Sequence, residues 1–295
     1  MRTLTYTVDS CREGCTVGQL LGEELMLSKS RIKRLKRQEA GVLLNGARAF
    51  TTARVRAGDV LCIEAGDPPR ERPVPPAVMP LEIVFEDEDL LIVAKPAGIA
   101  VHADSRRPDE VTMENALSAY LGQYATAHPV SRLDRGTTGL MCYAKSGYIH
   151  ERLRRMMHTP AFRKEYLGVA FRPPDPPAGE ITLPIGFAEG SRYQRAIDAG
   201  GAPARTGYET RLLAPDGTAL IRLIPHTGRT HQLRLHLAAI GAPLAGDWLY
   251  GERDARIGRP ALHSAELWLS HPMTGQTLHL HCPLPEDMRA LLSRR

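Results

Sequence analysis

The pattern of apolar and polar positions divides the chain into two parts. In residues 1–66, apolar residues at helical spacing predict two short helices, and a short apolar run before Asn45-Gly46 predicts a strand that enters a tight hairpin. A turn at Ala57-Gly58-Asp59 then precedes a last strand. The apolar positions of the two helices and the first strand are Leu20, Leu21, Leu25 and Met26, then Ile32 and Leu35, then Val42, Leu43 and Leu44.

Residues 67–80 interrupt this pattern with six prolines. Proline fixes φ and lacks an amide N–H, so such a stretch forms neither a helix nor a central strand. We expect an extended, semi-rigid spacer there. The sequence therefore predicts a small first domain in residues 1–66, a proline-rich linker in residues 67–80 and a larger domain in residues 81–295.

The larger part contains both strand-like and helix-like segments. Strands are predicted at 83–85, 90–94, 140–144, 162–171, 208–213, 220–224, 267–269 and 278–280. Helices are predicted near 113–121, 149–156 and 233–240, with Thr112 and Thr230 as candidate N-caps. Because the strands do not alternate regularly with crossover helices, we expect an α+β fold with a mixed, largely antiparallel sheet flanked by helices.

Length and composition fit a globular protein of two domains. The chain has 295 residues, of which 43% are hydrophobic, and no apolar run approaches the roughly 20 residues of a membrane span. The N-terminus lacks the apolar core of a signal peptide. The five cysteines are odd in number and mostly scattered, which favours reduced thiols in the cytoplasm over a disulfide framework.

Positive charge is concentrated at the start of the chain. Residues 1–66 hold 11 lysines and arginines against 7 aspartates and glutamates, while the remaining residues hold 27 against 26. Six of the cations lie in the ten residues 28–37, within the second predicted helix. A solvated helix face is the usual explanation of such a run, but a basic unit beside a near-neutral one also indicates an electrostatic docking unit.

The segment 131–140, Ser-Arg-Leu-Asp-Arg-Gly-Thr-Thr-Gly-Leu, is the strongest candidate for chemistry. Asp134 lies between Arg132 and Arg135 on a loop that feeds a predicted strand, and loops on a rigid scaffold often carry active-site residues. The neighbouring cations favour the ionised form of an acid. For an isolated Arg-x-Asp, a surface ion pair is the plainer interpretation.

The longer string resembles the catalytic loop of RNA pseudouridine synthases of the ribosomal large-subunit (RluA/RluD) type, which usually reads His-Arg-Leu-Asp-x-x-Thr-Ser-Gly-Leu. The resemblance implies the pseudouridine synthase fold, with Asp134 as the catalytic aspartate and Arg132 as the residue that displaces the target base. Ser131 and Thr138 depart from the family's histidine and serine.

Two further segments resemble the same family, in the same order. Lys164-Glu165-Tyr166 matches its Lys-x-Tyr element, which implies that Tyr166 stacks on the target base and is a candidate general base. Residues 228–236 match its Gly-Arg-x-His-Gln-Leu-Arg-x-His element, which implies that Arg234 pairs with Asp134. Taken alone, a strand tyrosine is more often a core residue, and an arginine near an apolar helix face needs an acid partner.

The first part of the chain resembles, more loosely, the small alpha-L RNA-binding module of a ribosomal small-subunit protein and of several RNA-modifying enzymes. The match covers most of residues 4–65. It implies that five cations of the second predicted helix face the phosphate backbone of RNA, where each neutralised phosphate makes binding more sensitive to salt. These residues are Lys29, Arg31, Lys33, Arg34 and Arg37.

The histidines do not indicate a metal site. His226, His231 and His236 are five residues apart, which turns each about 140° from the last on a helix of 3.6 residues per turn, so the three could not converge. His279 and His281 share one face of a predicted strand without matching ligands elsewhere. We therefore expect no bound metal.

Together these motifs predict an RNA pseudouridine synthase. The reaction breaks the bond between ribose and uracil nitrogen and rejoins the base through carbon, so no atom is gained or lost and no cofactor is expected. We expect RNA as the partner, with large-subunit ribosomal RNA first and transfer RNA as the alternative, and a cytoplasmic monomer without membrane contact. Two rivals remain: a non-catalytic RNA-binding or ribosome-assembly factor on the same scaffold, and an aspartate-dependent glycosidase acting on nucleosides, which would normally use a second carboxylate.

Overall fold

The computed structural model describes residues 3–104, 107–157, 159–191 and 193–293. The first 66 residues form a four-stranded antiparallel sheet, in the order β1-β4-β2-β3, with two helices. Both predicted helices and the hairpin are confirmed, while the first strand was not predicted. The elements are β1 Thr3–Thr7, α1 Val17–Glu23, α2 Lys29–Leu35, β2 Val42–Leu44, β3 Ala47–Arg48 and β4 Val60–Glu64.

Local sequence signals explain where these short elements begin and turn. Thr16 and Gln19 form a capping box at the start of α1, and Ser28 accepts a hydrogen bond from the backbone N–H of Arg31 at the start of α2. Asn45 and Gly46 have φ angles of 50° and 81°, as the tight turn between β2 and β3 requires.

The rest of the chain is built on one ten-stranded sheet. Its order is β10-β13-β14-β9-β15-β8-β6-β5, with β16 beside β15 and β7 beside β8. The strands are β5 Glu82–Glu86, β6 Leu90–Lys95, β7 His128–Pro129, β8 Thr138–Ala144, β9 Phe162–Ala170, β10 Ala178–Ile181, β11 Ile185–Phe187, β12 Arg195–Ile197, β13 Thr206–Leu213, β14 Ala219–Pro225, β15 Leu262–Ser270 and β16 Thr277–His281. The helices are α3 Met113–Leu121, α4 Gly147–Met156, α5 Gln232–Ala239 and α6 Glu286–Leu292.

This architecture confirms the predicted α+β class and the mixed, largely antiparallel sheet. Every strand pair of the large sheet is antiparallel except β8 with β15. The strands β11 and β12 form a separate two-stranded ribbon. No helix in the described ranges has the length and apolar character to cross a membrane.

Sequence reasoning placed the cap of α3 correctly and the cap of α5 wrongly. Thr112 forms a capping box with Asn115 at the start of α3. Helix α5 instead follows His231, which has a left-handed φ of 58° and makes no side-chain cap bond. The Gln232 side chain accepts the Arg229 backbone N–H there, at 3.0 Å. The candidate cap Thr230 is therefore one residue too early.

The proline-rich segment 67–80 forms neither helix nor strand, and it is fastened along its length to the larger part of the chain. Backbone N–H groups of Arg70, Val74 and Ala77 donate to carbonyl oxygens of Tyr124, Gln123 and Asn115, at 3.0–3.1 Å. Such regular attachment makes it a bound strap. The domain limits at residues 66 and 81 remain a prediction.

The two parts of the chain share one hydrophobic core. Leu20 and Leu35 of the N-terminal helices belong to the same buried cluster as Tyr148 and Leu153 of α4 and Ile92 of β6. Apolar contact across the junction removes surface from water on both sides. We therefore propose that the N-terminal part is seated on the larger sheet as one body with it.

Asp67 is the polar centre of the same junction. Its Oδ2 lies 2.6 Å from His128 Nε2 and accepts the backbone N–H of Gly147 at 2.6 Å. Its Oδ1 accepts from Arg31 at 3.5 Å and from Arg34 at 3.2 Å. Burial alone would raise the pKa of Asp67, but these donors outweigh burial and hold the pKa well below its usual range.

Gly139 allows the single parallel strand pair to form. It has a φ of 101° and lies opposite Ser264 of β15, and a Cβ atom there would come within 2.2 Å of the Ser264 carbonyl oxygen. A larger residue would therefore push β8 away from β15 immediately after the segment 131–137.

We predict that Gly139→Ala destabilises the protein by more than its backbone strain alone. Left-handed strain costs an alanine about 1–2 kcal/mol, and the clash with Ser264 adds about 1–3 kcal/mol. Gly217→Ala is the matched control, because Gly217 has a φ of 86° and a Cβ atom there would meet nothing within 4 Å. Denaturant unfolding of the two variants gives the comparison, and equal losses would contradict the steric role of Gly139.

We predict that Asp67→Asn lowers stability at pH 7 by about 1.5–3 kcal/mol, since it weakens hydrogen bonds to a charged group. The folded-state pKa of Asp67 is lowered, so its stabilisation is present above the unfolded value of about 3.9 and is lost as the pH falls below it. The stability gap between parent and variant should therefore narrow from about pH 5 to about pH 2. Asp109→Asn, at an exposed turn, is the control, and a gap that stays constant with pH would refute the prediction.

Candidate active site

A large cavity lies where the loop between β7 and β8 meets β9 and the start of α5. Its volume is about 1120 Å³. Four of the predicted site residues line it, contributed by three separate segments of the chain. They are Arg132, Asp134, Tyr166 and Arg234.

Asp134 lies at the wall of this cavity, 28% exposed. Its Oδ2 lies 3.4 Å from Nη1 of Arg234, in the predicted pairing, and 4.0 Å from Nε2 of His231. Arg135, one of the two arginines that flank Asp134 in the sequence, forms an ion pair with Glu110. Both Asp134 and Arg135 line the cavity.

Arg234 is held more tightly by a second acid, Asp247. Its Nε and Nη2 donate to the two Asp247 oxygens, each at 2.7 Å, in a bidentate pair. Burial would lower the pKa of Arg234, but the contacts with Asp247 and Asp134 outweigh burial and raise it. Arg234 is therefore a fixed cation that offers its remaining Nη1 to Asp134.

The sequence analysis did not single out Asp247 as a partner of Arg234. Asp247 is 1% exposed, and its Oδ1 also accepts the backbone N–H groups of Leu249 and Tyr250, at 3.2 and 3.3 Å. A buried carboxylate with four donors is fully satisfied. The usable signal was an acid within an otherwise apolar and glycine-bounded stretch.

Lys95 fixes the backbone of the Asp134 loop. This side chain is 1% exposed, and its Nζ donates to the carbonyl oxygens of Pro96, Ile99 and Arg135, at 2.8–3.0 Å. Burial lowers the pKa of Lys95 to about 8, although Asp134 acts in the opposite direction. The three acceptors match the three protons of an ammonium group, so the loop is tied to the turn after β6.

His231 extends a hydrogen-bonded chain from the Arg195 backbone through Tyr250 to a point 4.0 Å from Asp134. The Tyr250 hydroxyl accepts the backbone N–H of Arg195 at 3.1 Å, so its own proton is available to His231 Nδ1 at 2.9 Å. Nε2 of the neutral ring then carries the proton and faces Asp134. Burial lowers the pKa of His231, which favours this neutral form.

Tyr166 is placed where a flat ring could lie against a base. It lines the cavity and is 7% exposed, between Leu223 of β14 and Ser264 of β15. Burial raises its pKa, so the phenol is neutral at ordinary pH. Its neighbour Glu165 pairs with Arg222 on the opposite face of the strand and does not line the cavity.

Ser131, which replaces the family histidine, has a lysine as its partner. Lys164 Nζ donates to Ser131 Oγ at the edge of the cavity. Burial lowers the pKa of Lys164 to about 8. Arg132 is exposed at the same edge and has no hydrogen bond or ion pair with the described part of the chain. Its guanidinium is therefore available to an incoming ligand.

Five cations in and just after α2 are predicted to face RNA phosphates, and only some of these side chains are exposed in the structure. Lys29, Lys33 and Arg37 are exposed. Arg31 is a correction: it is 7% exposed, and its Nη2 donates to the Ala65 and Gly66 carbonyl oxygens as well as to Asp67. It shares the inner face of α2 with Leu35, four residues on. Arg34 is half-buried beside Asp67.

One cluster in the described ranges has the composition of a metal site, and its bonding argues against that role. Ligand atoms of Asp87, Asp89 and His271 lie within 4.8 Å of one another. His271 Nδ1 accepts the backbone N–H groups of Met273 and Thr274, so the proton of the neutral ring is on Nε2, 2.9 Å from Asp87 Oδ2. A protonated nitrogen has no lone pair for a metal.

The site therefore combines an acid, a fixed cation beside it and a buried aromatic ring in one cavity. Comparison with known proteins agrees with this chemistry. Residues 89–239 match the model of a family described as RNA pseudouridylate synthase.

Curated relatives match along nearly the whole chain. Ribosomal large subunit pseudouridine synthase D of Nitrosomonas europaea is 35% identical over 98% of this chain and 87% of its own length. The protein of the same name from Escherichia coli K12 is 34% identical, over 98% and 93%. Among solved structures, human RNA pseudouridylate synthase domain containing 4 is 25% identical and covers 70% of this chain and 90% of its own, with a TM-score of 0.57.

We predict that Arg234→Ala destabilises the protein by about 3–5 kcal/mol, because it leaves the Asp247 charge buried without a partner. Arg211→Ala is the control, since this exposed arginine pairs with Glu209 at the surface and should cost at most about 1 kcal/mol. The double variant Arg234→Met/Asp247→Leu should recover part of the loss. Equilibrium unfolding measures all three variants, and equal losses for Arg234→Ala and Arg211→Ala would contradict the buried pair.

Proposed function

The chain belongs to the RNA pseudouridylate synthase family, and on that premise we propose that it acts on large-subunit ribosomal RNA with Asp134 as the group that attacks or deprotonates the target nucleoside. As a member of this family, it is an enzyme that isomerises uridine to pseudouridine. The bond from uracil N1 to ribose C1′ breaks, and a bond from uracil C5 to C1′ forms. C5 loses its proton and N1 gains one, so atoms balance within the nucleoside and water.

The observation that carries the assignment of Asp134 is its position between cavity and cation. An acid at the wall of a cavity of about 1120 Å³ is open to a ligand on one side, and Arg234 lies 3.4 Å away on the other. A fixed cation stabilises negative charge and holds the acid in one orientation without reorganisation during the reaction. Asp134 thereby keeps one orientation toward the cavity while the base rearranges.

The remaining residues divide the task of presenting the nucleoside. Arg132 is exposed and takes the place of the everted uridine, because enzymes that act on a base must remove it from the stack. Tyr166 offers its ring to the uracil face. Its raised pKa favours this packing role over a general-base role, since a base would first have to lose the phenolic proton.

The names of the relatives support the proposed RNA substrate. Those named ribosomal large subunit pseudouridine synthase D share most of their length with this chain, which favours large-subunit ribosomal RNA as the substrate. All five cysteines are free thiols, which supports action in a reducing cytoplasm. The rival of a non-catalytic RNA-binding factor has no use for an acid at the cavity wall beside RNA phosphates.

We predict that Asp134→Asn abolishes pseudouridine formation while RNA affinity stays within about threefold, because the substitution keeps the shape and removes the charge. Release of tritium from RNA labelled at uridine C5 measures turnover, and chemical mapping of pseudouridine in total RNA identifies the modified positions. The control is Asp216→Asn, at a turn that does not line this cavity. Substantial turnover in Asp134→Asn would refute the assignment.

A further inference from the structure

A second concavity lies between the N-terminal part and α4. Its volume is about 700 Å³. Ser28, Ser30 and Arg34 form one wall, and successive turns of α4 form the other. The α4 residues are Gly147, His150, Glu151, Arg154 and Arg155, which recur every three or four positions and therefore form one stripe of the helix.

This groove adjoins the active-site cavity. His150 and Arg154 line both spaces. The two residues are four positions apart on α4, about 6 Å along the helix axis. A ligand that follows α4 can thus pass from the N-terminal part to the wall that carries Asp134 without leaving the protein surface.

The charge of the groove favours a polyanion. Arg154 is exposed and forms no ion pair with the described residues, and Arg155 is exposed with a 3.6 Å contact to Glu151. Arg34 donates to Asp67 through Nη2, and its side chain is 41% exposed. The acid that lines the groove is already engaged, because Glu151 accepts the backbone N–H of Ser28 at 3.3 Å. The cations that remain available match the spaced charges of a phosphate backbone.

The two walls are held in a fixed relation. Asp67 joins Arg31 and Arg34 of α2 to the backbone N–H of Gly147 at the start of α4. Arg31 also lies 5.9 Å from the centre of the Tyr148 ring, and the apolar core continues beneath both helices. The groove is therefore preformed, which reduces the ordering cost of binding.

The groove adjoins the active-site cavity, presents available cations and is preformed. From these three features we infer that it binds the sugar-phosphate backbone of the substrate RNA next to the target uridine, an inference that rests on the proposed function. The N-terminal part then acts as one wall of a composite RNA track that leads into the active site. Arg154 and Arg155 contact phosphates, and His150 lies at the point where the strand enters the cavity.

The test compares single arginine variants of the same helix in the full-length protein. Arg154→Ala and Arg155→Ala should each weaken binding of transcribed large-subunit ribosomal RNA about 3–10-fold and reduce the slope of log K against log salt by about 0.7–0.9. Arg152→Ala is the matched control, because Arg152 donates to the Tyr148 hydroxyl and lines neither cavity. It should leave affinity and slope unchanged.

Binding is measured in the Asp134→Asn background, so the result does not depend on turnover. In the active protein, the same two variants should raise KM with kcat within about twofold, since they remove uniform binding. If Arg154→Ala and Arg155→Ala give the same salt slopes and RNA affinities as Arg152→Ala, the inference that the groove binds RNA is wrong. If the two variants reduce the salt slope but the parent protein forms no pseudouridine, the proposed function is wrong while the groove remains an RNA-binding site.

Discussion

The structure depends above all on one buried guanidinium shared between two acids. Arg234 uses Nε and Nη2 for Asp247 and leaves Nη1 for Asp134. Asp247 has all its hydrogen bonds made by this pair and by two backbone N–H groups. Arg234 is therefore fixed and does not follow Asp134 if that side chain moves. The arrangement joins α5, the segment after it and the loop before β8, which lies 100 residues before Arg234 in the chain. A charge of this kind is stable in a buried setting only when its partners are complete.

The rest of the site supports that interaction from several directions. Lys95 ties the loop of Asp134 to the turn after β6 through three carbonyl oxygens, and Gly139 lets β8 approach β15 immediately after the loop. His231 directs the proton on Nε2 toward the acid because Tyr250 occupies Nδ1. Each contact restricts the position of Asp134 before RNA arrives, so binding energy is not spent on ordering the acid. Asp67 holds the N-terminal part in place in a similar way, because it accepts the backbone N–H of Gly147 at the start of α4.

Sequence patterns predicted the elements whose signals lie within a few residues, and they missed the features that depend on tertiary contacts. The Asn45-Gly46 turn and the Thr112 cap each act within a few residues, so their prediction succeeded. Arg31 was expected to face phosphates, but helical spacing alone does not show that the junction supplies a buried acceptor at Asp67. Asp247 was overlooked for the same reason, because its partner lies 13 residues away on another element. The resemblance to a family brought Asp134, Tyr166 and Arg234 together, while the competing bond to Asp247 required coordinates.

The central claim is that Asp134, held by Arg234, meets an everted uridine inside the cavity. A crystal structure of full-length Asp134→Asn bound to RNA that contains the target uridine tests this most directly. The expected result is a uridine outside the base stack, with its ring against Tyr166, the side chain at position 134 within about 3–3.5 Å of the nucleoside, and Arg234 still paired with Asp247. A target uridine that remains stacked in the RNA, or that binds outside the cavity, would contradict the claim.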